Sequence, residues 1–387
     1  MAPKNILIIG CGSIGERHLR CFQATRRCEV TVCDTNVPLL RAVSERHGVQ
    51  SDPDFRHALL SRRPDATVIC TPAPFHVPMA VAALEAGCHV LIEKPLSTSL
   101  GDIGALLDAQ ARAGAGRQVA VAYVYRVFPL LLRVRAFFAG EGGVALGDIR
   151  QIVVHCGQPF HLLRPGYEKT YYRDRATGGG AVQDALTHLA NWVEWLAGPT
   201  DSVMCDCAHL AVPGVGVEDT AHVSARNGGI LVSYALNQFQ APNETIIQIN
   251  ATRGSVRAEL HRQRWGVCRI DDGGGAGASG GVGASGGADG GAGSGAGASI
   301  GAGGSGAGAS SSVGVSVGAG EWAWETVPVP GRDAHFTAQA SAFLDQIEGA
   351  PPRLCPLAEA VQTLKFNLAA LRSAGAGARV FCHDITN

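Results

Sequence analysis

Lysine is scarce in this chain: Lys4, Lys94, Lys169 and Lys365 are the only ones among 32 Lys and Arg in 387 residues. Against them stand 33 Asp and Glu, for a formal net charge of −1, and no basic run stands out. That balance argues against nucleic acid as a partner. No apolar run reaches the ~20 residues of a membrane-spanning helix, so no membrane partner is expected. The first apolar segment, Ile6 to Ile9, is too short for a secretion signal, and Arg26-Arg27 falls inside a helical stretch. Paired-cysteine motifs of the CxxC type are missing too. The 12 cysteines are scattered; Cys205-Asp-Cys207 is the tightest pair and reads as part of a strand rather than a metal site. This usage fits free thiols in a reducing cytosol, so a cytoplasmic protein with no metal ligands is expected.

Glycine, by contrast, is present in an informative place. A strand-like run, Asn5 to Ile9, leads into Gly10-Cys-Gly12-Ser13-Ile14-Gly15, and Asp34 ends the next apolar run. Each part suits a dinucleotide. Gly10 allows a tight turn, Gly12 leaves room for the pyrophosphate, and Gly15 lets a helix pack close to the strand. Ser13 and Ile14 open that helix, whose free N–H groups face the phosphates. Asp34 is placed to accept the adenosine ribose hydroxyls. A 2′-phosphate beside that carboxylate would cost roughly 4 kcal/mol per unit charge at about 4 Å and an effective dielectric of about 20. The reading therefore favours NAD over NADP.

The first half of the chain alternates strand and helix. Strand-like runs at residues 5–9, 29–33, 66–70, 89–92 and 119–124 are separated by amphipathic stretches at 37–47, 55–61, 78–86 and 100–113. This spacing predicts α/β architecture: a Rossmann-type, doubly wound parallel sheet over residues 1–127. Ligands of such sheets sit at the carboxyl ends of the strands. The glycine turn, Asp34, Thr71-Pro72 and Glu93-Lys94-Pro95 all fall there. From residue 128 a second domain runs to 387. It is of α+β type, with strand candidates at 148–158, 202–210, 220–226, 230–240, 245–252, 255–260 and 266–270 and a helix over 180–196. Helical periodicity returns over 336–347 and 357–373. Residues 273–320 are almost all Gly, Ala and Ser, and predict a disordered insertion between two strand-like segments.

Two constellations carry candidate chemistry. Lys94 lies where a cation would face the nicotinamide end of a cofactor, to hold a substrate hydroxyl and stabilise oxyanion character. Gly178-Gly-Gly180 leads into Asp184 and His188, spaced i, i+4 on one helical face. The glycines would let backbone approach a ligand, and His188 has the titration range of a proton acceptor. A solvated surface pair is the bland alternative, and a metal site needs a third ligand that no cluster supplies. Tyr123 and Arg126 follow a strand at the same edge and are candidate substrate contacts, as is Tyr172 in the run Tyr171-Tyr172-Arg173.

Taken together, Gly10–Gly15, Thr71-Pro72 with His76, the stretch Ala86 to Leu96 containing Glu93-Lys94-Pro95, Gly178-Gly-Gly180 with Asp184 and His188, and the segment 336–373 resemble the glucose–fructose oxidoreductase / inositol dehydrogenase / MocA family. The resemblance implies a Rossmann domain followed by a domain with an open, mostly antiparallel sheet. It implies hydride transfer between NAD and a sugar, inositol or related polyol. Lys94, Asp184 and His188 match the family's catalytic positions, and Thr71, Pro72, His76, Glu93 and Lys94 join the glycine loop and Asp34 around the cofactor. A homodimer or homotetramer is also implied. Ala73, Leu186 and Asn191 depart from the family pattern and bear on substrate choice. The alternatives are a non-catalytic NAD-sensing regulator of the same fold and a cofactor-retaining redox epimerase or glycosidase.

Overall fold

The computed structural model describes residues 3–141, 145–270, 320–329 and 331–386. The run 273–320, apart from Gly320, lies outside the described residues. The strands flanking it pair with each other.

The first sheet starts with β1 (Lys4–Ile9), α1 (Ser13–Thr25), β2 (Cys28–Cys33), α2 (Val37–His47), β3 (Gln50–Asp52) and α3 (Phe55–Arg62). It continues with β4 (Ala66–Ile69), α4 (His76–Glu85), β5 (His89–Ile92), α5 (Ile103–Ala113) and β6 (Val119–Val121). These strands are parallel and ordered β3-β2-β1-β4-β5-β6. β1, β4 and β5 are short and almost wholly buried, as expected when helices cover both faces. The strand order reverses between β1 and β4, so the loops after these two strands frame the crevice.

The second sheet follows α6 (Pro129–Phe138). It uses β7 (Ile149–Pro159), then α7 (Phe160–Leu163), α8 (Thr187–Ala197), β8 (Ser202–Ala208), β9 (Thr220–Asn227), β10 (Ile230–Asn237), β11 (Phe239–Ala251), β12 (Gly254–Glu259), β13 (Arg264–Arg269) and β14 (Ala323–Thr326). The chain ends with α9 (Ala334–Ile347), β15 (Cys355–Pro356), α10 (Leu357–Ala376) and β16 (Val380–Phe381). The nine strands run β14-β13-β12-β11-β7-β10-β9-β8-β16, antiparallel except for the β7–β10 pair. Alternation is clear in β9, where every second residue is buried. One face packs on α8 and α10; Tyr234 of β10, for example, meets Phe366 of α10 edge-on. Met204 and Leu231 are exposed on the opposite face.

The C-terminal segment crosses back to the first sheet. β15 pairs antiparallel with β6, and α9 lies against α1. Arg27 bonds Asp345 and Glu348 at 2.7 Å each, and Arg20 bonds Asp333 at 2.8 Å. The predicted helix over 180–196 differs from the structure in its first turn. Val182–Leu186 is a π-helical turn, and the α-helix starts only at Thr187. A π-turn has no hydrophobic period of its own, so periodicity merges it with the helix that follows.

Candidate active site

The cradle at the first sheet's edge separates its glycines by role. Gly10 has φ +100°, and a Cβ there would lie 2.7 Å from the carbonyl oxygen of Cys70. A Cβ on Gly15 would lie 1.8 Å from the carbonyl oxygen of Gly10. Around Gly12, however, no atom lies within 4 Å of the Cβ position. Gly10 and Gly15 therefore hold the fold, and Gly12 fronts open space. α1 has no side-chain cap, so its first amides remain available to an anion. The Asp34 carboxylate accepts from Cys11 N at 2.7 Å and Asn36 N at 2.8 Å, which fixes it beside the loop with lone pairs to spare. These residues fit a dinucleotide. Gly15→Ala is expected to destabilise the fold by about 1–3 kcal/mol, whereas Gly12→Ala should leave Tm nearly unchanged and weaken NAD binding. Thermal melts with and without NAD separate the two.

His76 is buried and ties the two neighbouring loops together. Its Nε2 lies 2.7 Å from Thr71 O and its Nδ1 2.9 Å from Pro95 O. Pro72 starts the short turn Ala73–Phe75, and the Lys94–Pro95 peptide is cis. Glu93 is buried behind this edge. Its Oε1 pairs with His18 Nε2 at 2.7 Å, and its Oε2 accepts from the Lys94 amide at 3.0 Å. Burial opposes the Glu93 charge, but His18 and then Lys94 outweigh it and hold the carboxyl below its ordinary range.

Lys94, Asp184 and His188 come together across the two sheets. Lys94 Nζ donates to Asp184 Oδ1 at 2.7 Å and to the Asp184 carbonyl at 2.9 Å. Tyr171 donates to the same Oδ1 at 2.7 Å, and Arg164 stands 3.8 Å from Oδ2. Burial alone would raise the Asp184 pKa; Lys94 and Arg164 reverse this and hold it well below the carboxylate range. Lys94 in turn is held above its ordinary value, since Asp184 outweighs the effect of burial. The His188 ring stacks on Tyr125, with centroids 5.3 Å apart, and meets Tyr123 edge-on at 6.0 Å. Its Nδ1 is buried and has no protein partner among the described residues. Burial first, and then the Lys94 charge, push the His188 pKa down to about 3. The imidazole is thus neutral throughout the physiological range.

The supports beneath this cluster are polar and local. Tyr123 OH lies 3.1 Å from Thr187 Oγ1, which also accepts from Asn367 at 2.9 Å. The three glycines before the π-turn bring protein, not open space, to the backbone. A Cβ on Gly179 would lie 2.2 Å from Tyr172 O, and one on Gly180 2.3 Å from Glu218 Oε1. Glu218 accepts from Val182 N at 3.2 Å and pairs with Arg175 at 2.7 Å, anchoring the turn that presents Asp184.

Three residues expected to touch substrate are placed otherwise. Arg126 is buried. It donates to Asn191 at 3.0 Å, pairs with Glu359 at 2.5 Å and lies over Trp195. Tyr172 is buried, bonds Gln238 through its hydroxyl and packs on Phe160. The Tyr123 hydroxyl is committed to Thr187, so this ring supports His188 and does not reach outward. Tyr125, Tyr171 and Arg164 instead lie beside the Asp184–His188 pair: Tyr125 stacks on His188, while Tyr171 and Arg164 face the Asp184 carboxylate. The pattern that marks the edge of a sheet does not say which of two adjacent tyrosines turns inward. Among the described residues, no three His, Cys, Asp or Glu side chains gather as metal ligands.

Two family models match the chain: "Oxidoreductase family, NAD-binding Rossmann fold" over residues 4–123, and "GFO/IDH/MocA C-terminal domain" over 143–257. Together they cover more than half of it. The D-glucoside 3-dehydrogenase of Escherichia coli strain K12 is 33% identical over 116 residues, which is 29% of this chain and 33% of that protein. Inositol 2-dehydrogenase 3 of Saccharopolyspora erythraea is 27% identical over 191 residues, 49% of this chain and 52% of the other. The matches thus span about a third to a half of these relatives' lengths. Among solved structures, an oxidoreductase domain protein from Kribbella flavida superposes with a TM-score of 0.77 at 20% identity, covering 100% of both chains. That agreement is one of fold. In both sequence and architecture, the first domain is an NAD-binding Rossmann domain.

Proposed function

This chain belongs to the Gfo/Idh/MocA oxidoreductase family, and from that premise we propose that it transfers a hydride between NAD and a hydroxyl-bearing carbon of a sugar, inositol or related polyol. One observation carries the reading. Lys94 uses two of its three N–H donors on Asp184. The third is left for a substrate oxygen, beside an imidazole kept neutral. Bound nicotinamide supplies the two-electron acceptor for the hydride. In the oxidative direction His188 takes the hydroxyl proton as the C–H pair departs, and the carbinol becomes a carbonyl. Lys94 donates to the same oxygen and offsets its developing negative charge. Asp184, held by the Tyr171 hydroxyl, keeps the ammonium charged and aimed. The relatives named for a glucoside and for inositol support a cyclic polyol as substrate. The reading includes a division near residue 127, a cytoplasmic location, and a homodimer or homotetramer formed through the open sheet face bearing Met204 and Leu231.

The direct test is NADH absorbance with a panel of inositols, aldoses, glycosides and sugar acids. A protein saturated with NAD yet inert to the whole panel would overturn the reading. For the cofactor, Asp34→Ala is expected to weaken NAD about tenfold and to narrow the gap to NADP. An unchanged ratio of the two affinities would remove the carboxylate as the source of preference.

A further inference from the structure

Arg164 is a cation that the hydride-transfer chemistry does not require. Lys94 already neutralises Asp184 at 2.7 Å, while Arg164 reaches the other carboxylate oxygen only at 3.8 Å. Glu93, the remaining acid nearby, is committed to His18 and to the Lys94 amide. Arg164 is also poor in partners. Among the described residues its guanidinium makes one hydrogen bond, a long one of 3.4 Å from NH1 to the Tyr171 hydroxyl. Its side chain is 54% exposed, while its Asp184 neighbour is 3% exposed. The group therefore stands at the boundary between the buried cluster and solvent.

Its position is nonetheless defined. Arg164 closes α7, donating its backbone N–H to Phe160 O at 2.9 Å, and its guanidinium lies 5.4 Å from the centre of the Phe160 ring. That ring is buried against Tyr172. A guanidinium fork held on an aromatic face with most of its five N–H donors unused is built for a planar, bidentate anion. A neutral polyol would leave the fork partly desolvated and its charge unmatched.

We propose that the substrate carries a carboxylate bound by Arg164 at the mouth of the site. This rests on the hydride-transfer reading and narrows its substrate from polyols in general to sugar acids and related polyhydroxy acids. The carboxylate takes no part in the redox step; it anchors the molecule while a hydroxyl elsewhere on it meets Lys94 and His188. Arg164 is thus a specificity residue.

The experiment compares acids with their neutral amides of the same shape: D-glucuronate with D-glucuronamide, D-galacturonate with D-galacturonamide, and D-gluconate with D-gluconamide. Turnover of the full-length protein with NAD is followed by NADH absorbance, and binding to the NADH-loaded protein by NADH fluorescence. At least one acid is expected to exceed its amide in kcat/KM by about 10- to 100-fold. Arg164→Gln should erase that ratio mainly through KM. Arg164→Lys, which keeps the charge but not the fork, should restore part of it. Neutral amides or plain polyols turned over as well as the acids, with the ratio unmoved in Arg164→Gln, would overturn the anion assignment and leave hydride transfer standing. If neither class reacts or binds while NAD still binds, both readings fall together.

Discussion

His188→Ala is expected to lower kcat by about 10²–10⁴, or roughly 2.7–5.5 kcal/mol of transition-state stabilisation. NAD affinity should stay within about twofold. The size of the loss follows from the surroundings of the imidazole. Its ring is fixed between Tyr123 and Tyr125, which sets the imidazole in one place beside Lys94. The same surroundings set the pH dependence. Burial and the Lys94 charge depress the His188 pKa to about 3. The base form therefore persists as pH falls through 6.5 and is lost only near the depressed value. The acidic limb of kcat/KM should accordingly lie well below pH 6.5, and a limb at pH 6.5 or above would contradict the assignment. A rate for His188→Ala within about threefold of the parent would remove His188 from the proton transfer altogether.

Removing the cation is expected to cost both stability and rate. Lys94→Met leaves the buried Asp184 carboxylate with one hydroxyl donor, Tyr171, and a guanidinium at 3.8 Å. Breaking a buried ion pair from one side costs about 3–5 kcal/mol, and the remaining Arg164 places this case toward the lower end. Urea unfolding measures that term. Loss of the donor to the substrate oxygen should remove a further factor of about 10²–10³ from kcat. A second signature separates the chemical from the structural effect. Lys94 is one of the causes of the low His188 pKa, so its removal should shift the acidic limb of the residual activity upward, toward the ordinary histidine range. A lower rate with an unmoved limb would mean that Lys94 and His188 do not share a field.

Much of this arrangement is legible in the chain because its signals are local and steric. Gly10 and Gly15 are required by contacts a Cβ would violate, and the run Gly10–Gly15 between an apolar strand and a helix announces them. β5 spans His89–Ile92 as the apolar run indicates, and Glu93-Lys94-Pro95 follows at the strand's carboxyl end. What could not be read depends on partners distant in sequence. β15 is only two residues long and owes its existence to β6, more than 200 residues earlier. β3 is three polar residues aligned beside β2, and neither alternation nor apolar content marks it. The direction of a side chain at a strand end is equally non-local. Tyr172 turns inward because Phe160 and Gln238 receive it, while Tyr171 turns to Asp184. Arg126 reads as a candidate substrate contact, but Asn191 and Glu359 close on it; Arg164, one arginine among many in the chain, gave no sign.

The return of the chain to its first sheet has a consequence for biosynthesis. On a ribosome the nucleotide-binding half emerges first, yet it cannot be completed in that order. β6 waits for Cys355–Pro356, and the outer surface of α1 waits for α9, until residues 334–356 have been synthesised. A nascent chain stalled before residue 334 would expose Phe22 and the charged groups Arg20 and Arg27 that α9 and the residues flanking it cover. The first domain's surface is therefore incomplete without residues 334–356, although the dinucleotide cradle itself lies wholly upstream of them.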